Sequence, residues 1–362
     1  MNTNFKKEER LLRIGILGCG TICQAAHIPS AVRGRNVELY ALCDVAEDLL
    51  AKMTQVYEPR KTYSDFDMML ADPLVEAVVI GIADQFHVDK AMQALRSGKH
   101  VLVEKPIGVD LGSCEQLALL AKEKNLVLQV GSMKRFDGGL QYAKDFVLSD
   151  MGDITTYKGW YCDSTGRYTL CDNVMPPLLS SSRMKRPEGN PKSQLETYYL
   201  LAHGSHLFDT ARFMLGDILS VEAKLVIKEK LYSWLIFCEF ASGAIGCLDL
   251  TVAIRAEWSE GFEIYGTGGT IRAKTYNPWV KLSSEVECWK ESTREVLKPY
   301  AADGDTYRRQ MEAFADVVLF GAKQRGATAL DGIAALRALI ATVESVHNGG
   351  KKVYLKDVKG GI

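Results

Sequence analysis

Through the first third of the chain, short apolar runs alternate with stretches of helical periodicity, and no other feature limits the fold so strongly. Residues 13–17, 37–43, 77–82, 101–103 and 126–130 are too short for helices and too continuously apolar for strands with one wet face. Helical stretches lie between them, among them residues 89–97 and 113–124. A strand whose helix returns it to a parallel neighbour is covered on both faces, so its side chains need not alternate in polarity. The expectation is a parallel sheet flanked by helices, over residues 1–131.

The pattern then changes. A helix is expected at 140–148 and a strand at 153–161. Residues 162–193 read as irregular, with Pro176-Pro177, Ser180-Ser181-Ser182, Pro187 and Pro191. A segment of that length without regular structure suits a lid, a binding loop or an oligomer arm. A helix at 196–215 precedes strand-like runs at 220–228, 233–240, 244–254, 261–265 and 270–275. Glycine turns join these runs, which makes the second sheet mostly antiparallel. Helices at 306–320 and 331–347 close the chain and are placed to return to the first unit. The 362 residues thus divide into two units, 1–131 and 132–362, consistent with the limit of roughly 250–300 residues for one core.

The 44 basic and 45 acidic residues leave a net charge of -1, without the basic excess that nucleic-acid binding needs. The first ten residues are polar and unlike a signal peptide, and no apolar run approaches the roughly 18–20 residues of a membrane span. Nine scattered cysteines with no C-x-x-C pair point to reduced thiols and a cytoplasmic location. Cys162 and Cys171 flank the irregular segment without forming a zinc set, and no metal is expected.

The first apolar run ends in Gly18-Cys19-Gly20-Thr21-Ile22-Cys23. Gly18 suits a tight turn and Gly20 lets backbone approach a pyrophosphate at a helix N-terminus; Cys23 replaces the third glycine of the fingerprint. Asp44 follows roughly 20 residues on, at the end of the second run, where a carboxylate accepts from ribose hydroxyls and repels a 2′-phosphate. The unit is read as a Rossmann domain for NAD rather than NADP; the alternative for Asp44 is a helix cap. Val101-Leu102-Val103-Glu104-Lys105-Pro106 closes another strand, and His203-Gly204-Ser205-His206 follows downstream. A lysine at the end of such a strand and a histidine able to move a proton suit an alcohol dehydrogenase that uses no metal. The plainer alternatives are a Lys105–Glu104 surface pair and a buried helix histidine.

With these motifs the sequence resembles the Gfo/Idh/MocA family, the glucose-fructose oxidoreductase and inositol dehydrogenase group. The resemblance also rests on residues 80–87, on Lys134-Arg135-Phe136-Asp137 and on Gly204-Ser205-His206-Leu207-Phe208-Asp209. It implies a Rossmann domain followed by an α/β domain with an open, mostly antiparallel sheet. It implies NAD as cofactor, a small carbohydrate-like substrate, and a homo-oligomer (dimer, tetramer or higher). By the same resemblance Lys105 and His206 are catalytic. Glu104 and His87 lie beside the cofactor with Gly18, Gly20, Thr21, Ile22 and Asp44, and Arg135 lies near the substrate. Many relatives carry an aspartate one turn before the histidine, where this chain has Ala202; His203 either enters the site or packs. Trp160, Tyr161, Asp163 and Tyr168 are substrate candidates, with core or interface packing as the alternative.

The implied reaction is hydride exchange between nicotinamide and a secondary alcohol of a sugar, glycoside or cyclitol. The favoured form is C3 oxidation of a glucoside, as in bacterial C-glucoside 3-oxidases. The alternatives are an inositol or free-sugar dehydrogenase, an NAD-dependent glycosidase using transient C3 oxidation, and a non-catalytic NAD-binding sensor.

Overall fold

The computed structural model describes residues 10–164, 173–175, 177–184 and 193–362. Six parallel strands form the first sheet: β1 (Leu12–Leu17), β2 (Val37–Cys43), β3 (Lys61–Tyr63), β4 (Ala77–Ile80), β5 (His100–Glu104) and β6 (Leu128–Gly131). Their order is β3-β2-β1-β4-β5-β6, so the chain reverses direction across the sheet between β1 and β4. Ligands of open α/β sheets bind at the carboxyl ends of the strands beside such a reversal. Helices α1 (Ile28–Arg33), α2 (Glu47–Tyr57), α3 (Phe66–Ala71), α4 (His87–Arg96) and α5 (Leu111–Glu123) connect the strands, and α6 (Gly138–Ser149) leaves the sheet. Every residue of β4 is buried, as a strand covered on both faces must be. Helix starts follow their caps. Asp110 accepts the Ser113 N–H and Asp137 the Leu140 N–H, so α5 and α6 each begin two residues before the apolar periodicity suggests.

The second sheet holds β7 (Ile154–Asp163), β8 (Ile218–Lys228), β9 (Leu231–Phe240), β10 (Ile245–Val252), β11 (Ser259–Gly266), β12 (Gly269–Thr275), β13 (Glu285–Lys290) and β14 (Glu295–Leu297). A short terminal strand, Val353–Tyr354, pairs with β8 at one edge. The sheet is antiparallel except where β7 runs parallel to β10. Strands β13 and β14 escape the sequence reading because they are short and charged; only Val286 and Cys288 of β13 are buried.

One face of this sheet is covered by helices and the other is open. On β9, Trp234, Ile236, Cys238 and Phe240 are buried, while Leu235 and Phe237 between them are 50% and 60% exposed. The covering helix expected at 196–215 has three parts: α7 (Leu195–Tyr199), a π-helical turn Leu200–Gly204, and α8 (Ser205–Leu215). Gly204 sits so close to the closing helix that a Cβ there would lie 2.8 Å from a Leu339 methyl.

The tail returns to the first unit. Helix α9 (Thr306–Phe320) sends Met311, Phe314 and Ala315 into one core with Leu12, Ile14, Ile28 and Val37. Ala327–Thr328 then adds an antiparallel edge strand to β6. Helix α10 (Ala329–His347) packs on α5 on one side and on α8 and β8 on the other.

Candidate active site

The glycine turn between β1 and α1 is shaped by two different needs. Gly18 has φ +103°, and a Cβ there would lie 2.6 Å from the Gly81 carbonyl oxygen. Backbone conformation and space therefore both require glycine. A Cβ on Gly20 would meet nothing within 4 Å, which leaves an open cradle for a ligand to approach backbone. Thr21 and Ile22 follow, leading into a π-helical segment, Cys23–His27. Cys23 stands where the fingerprint has its third glycine, and the deficit is made good on the facing strand end. A Cβ on Gly81 would lie 2.4 Å from Cys23 Sγ, so the residue without a side chain sits on the other partner. Burial holds the Cys19 and Cys23 thiols above the usual thiol range, which keeps them unreactive.

Asp44 is held between two loops. Its Oδ2 accepts the Cys19 N–H at 2.6 Å and its Oδ1 the Ala46 N–H at 2.8 Å. The carboxylate therefore faces the glycine turn from the end of β2. An open cradle beside a fixed carboxylate fits a dinucleotide with a free ribose diol.

Lys105 follows β5 through a cis Lys105–Pro106 bond, and its Nζ donates to the Ala202 carbonyl at 3.0 Å. That carbonyl lies in the π-helical turn, four residues before His206, so the ammonium sits against the turn that precedes the histidine. Glu104 is buried; its Oε1 bonds His27 Nε2 at 2.8 Å and its Oε2 accepts the Lys105 N–H at 3.0 Å. Burial alone would raise this carboxyl, but His27 and Lys105 outweigh it and hold it below the usual range. His87 bridges the strand ends: Nδ1 lies 2.7 Å from Pro106 O and Nε2 3.1 Å from Ile82 O. It ties the loop after β4 to the loop after β5.

His206 is nearly buried in the first turn of α8, with the Tyr161 ring parallel to it at 5.9 Å. His203 Nδ1 lies 3.3 Å from Tyr161 Oη and 3.4 Å from Asp163 Oδ2. Both partners come from β7, which runs through Asp163 into the segment expected to be irregular. A carboxylate on a neighbouring strand thus reaches the histidine next to Ala202. The Lys134 Nζ lies 4.7 Å from the Tyr161 ring centroid and 5.6 Å from that of Trp258, and it pairs with buried Glu260. Burial pushes the lysine down and the glutamic acid up; their attraction opposes both shifts.

Two substrate candidates lie elsewhere. Arg135 is buried with Nε and Nη2 on Asp209 and Nη1 3.2 Å from Asp331, so its guanidinium locks α8 to α10. Trp160 alternates with Tyr161 along β7, faces the open side of the sheet, and covers Gly261, whose Cβ would lie 2.6 Å from its ring. Tyr168 and Cys171, with Pro176, Pro187 and Pro191, lie outside the described residues. His27 and the Lys134–Glu260 pair escaped the sequence reading. Lys134 stood inside a quoted motif, whereas nothing in the sequence marks Glu260 as its partner.

Residues 12–132 match the GFO/IDH/MocA model described as an oxidoreductase family with an NAD-binding Rossmann fold, and residues 178–272 match the GFO/IDH/MocA C-terminal domain. The chain belongs to the GFO/IDH/MocA family. It is an NAD-binding oxidoreductase. This GFO/IDH/MocA oxidoreductase is 26% identical over 271 residues to the myo-inositol 2-dehydrogenase of Thermotoga maritima, covering 72% of the chain and 75% of that relative. It is 27% identical over 352 residues to inositol 2-dehydrogenase 2 of Saccharopolyspora erythraea, covering 93% and 94%. In fold it is similar to scyllo-inositol dehydrogenase from Lactobacillus casei, solved with bound NAD(H) and scyllo-inositol. The TM-score is 0.74 at 22% identity, over 96% of this chain and 100% of that one.

Proposed function

We propose that this oxidoreductase oxidises one secondary hydroxyl of a carbohydrate-like ring, with C3 of a glucoside as the favoured position. The observation that carries the reading is the Lys105–Ala202 contact, which sets an ammonium against the turn just before His206. NAD, when bound, supplies the hydride acceptor. Lys105 would hold the reacting oxygen and stabilise its developing negative charge. His206 would take the hydroxyl proton. Glu104 and His87 fix the strand end from which Lys105 projects. Asp163, acting through His203, stands in for the carboxylate absent at Ala202 as a positioning group. The proposal divides the chain at 131/132, with the return of α9 and α10 to the first unit. Its partners are a small-molecule substrate and further copies of the chain, which the open, apolar sheet face suits. Among the described residues no helix is long and apolar enough to cross a membrane.

A cyclitol is the second reading, supported by the inositol dehydrogenases among the relatives. Offering NAD with inositols, free hexoses, and O- and C-glucosides, and following nicotinamide absorbance, separates the two. Reduction with glucosides far exceeding that with inositols is the expected result. The reverse makes the chain a cyclitol dehydrogenase. No reduction by any of them, and no oxidation of NADH by keto-sugars, sinks the dehydrogenase reading.

The positioning role has its own test. Asp163→Asn lowers kcat about tenfold with KM little changed, the size expected for one charged orienting hydrogen bond. A loss confined to KM would make Asp163 a substrate ligand instead.

A further inference from the structure

Residues 177–184 reach from the irregular segment onto the first unit and are fastened there at two points. In the π-helical segment after the glycine turn, Gln24 Nε2 donates to the Leu179 carbonyl and Gln24 Oε1 accepts the Leu179 N–H, each at 2.9 Å. The same Nε2 donates to the Cys19 carbonyl at 2.7 Å, which ties the fastening to the glycine turn itself. At the second point Asp48, in the first turn of α2, accepts three hydrogen bonds. They come from Ser181 Oγ at 2.6 Å, the Ser182 N–H at 2.8 Å and Ser182 Oγ at 3.0 Å. Ser181 Oγ in turn accepts the N–H groups of Arg183 and Met184. The Ser181 hydroxyl and the Ser182 N–H hold the Asp48 carboxyl well below the usual range, so it is charged at neutral pH.

The two fastenings flank Asp44. One follows the glycine turn, whose Cys19 N–H binds the Asp44 carboxylate; the other lies four residues after Asp44. Between them run only residues 179–182, an extended reach of at most ~11 Å. The chain therefore passes between the two loops that hold Asp44.

We propose that residues 179–182 form a strap over the adenosine half of the dinucleotide site that slows the release of bound NAD. The inference rests on the dinucleotide reading of this site.

The test is an exchange measurement. Full-length protein loaded with radiolabelled NAD is chased with excess unlabelled NAD, and retained label is followed by filter binding. Label is expected to leave the wild type slowly. Asp48→Ala, and separately Ser181→Ala with Ser182→Ala, should each speed release ~10-fold or more, as loss of charge-assisted hydrogen bonds implies. Equal release from all three proteins overturns the strap while leaving the oxidoreductase reading intact. Acceleration by Asp48→Ala alone also overturns it, because the effect then belongs to α2. If none of the proteins binds NAD, the dinucleotide reading fails and the strap with it.

Discussion

Lys105→Met lowers the first-turnover rate of alcohol oxidation about 10²–10³-fold, the usual cost of removing one preorganised stabiliser of a developing oxyanion. Affinity for NAD should change little, because the glycine turn and Asp44 do not depend on the lysine head group. Methionine preserves most of the side-chain volume, so β5 and the cis bond to Pro106 stay packed. The substitution does leave the Ala202 carbonyl without the donor at 3.0 Å. A modest stability loss, of order 1–3 kcal/mol, should accompany it. Stopped-flow nicotinamide absorbance gives the rate, and a denaturant melt gives the stability. If the variant melts earlier yet turns over normally, Lys105 is a structural tether and the proposed chemistry is misplaced.

The largest effect on stability is expected at Arg135. Its guanidinium holds Asp209 on α8 and Asp331 at the start of α10, and both Arg135 and Asp209 are buried. Removing one member of a buried ion pair costs about 3–5 kcal/mol, because the other charge stays in a medium of low dielectric. Arg135→Ala should lose about that much in urea unfolding, while Asp331 keeps its capping bonds to Thr328. Exchanging both partners for apolar residues, Arg135→Met with Asp209→Leu, should recover part of the loss. A loss below about 1 kcal/mol, together with weaker substrate binding, would return Arg135 to the substrate pocket.

What could be read from the sequence follows from how local each feature is. Five of the six Rossmann strands announce themselves because burial on both faces makes them mostly apolar, whereas the edge strand β3, with Lys61 and Thr62 exposed, gives no such signal. Asp44 is found by its distance from the glycine turn, and Lys105 by its place at a strand end. Features that need a contact between distant residues left no such trace. Cys23 looks like a defect in the fingerprint until Gly81 is seen facing it. Arg135 sits in a family motif, yet only the fold brings Asp209 and Asp331 around it. Trp160 and Tyr161 are neighbours in sequence, and the two-residue repeat of a strand sends one to the open face and the other to His206. The substitution at Ala202 is plain in the sequence, whereas the contact of Asp163 with His203 is made only across the gap between β7 and the π-helical turn. The strap is the extreme case, since Ser180-Ser181-Ser182 carries no mark of the carboxylate it grips.

The return of α9 to the first sheet bears on how the protein is made. Leu12, Ile14, Ile28 and Val37 leave the ribosome well before their cover, Met311 and Phe314, which comes from the far side of the second sheet in sequence. The nucleotide-binding half therefore waits, with apolar surface exposed, until the second sheet and α9 have been synthesised. Swapping that half between relatives would require moving two separated pieces of sequence together. Cut out alone, it would lack both its covering helix and the edge strand at Ala327–Thr328, and would tend to aggregate.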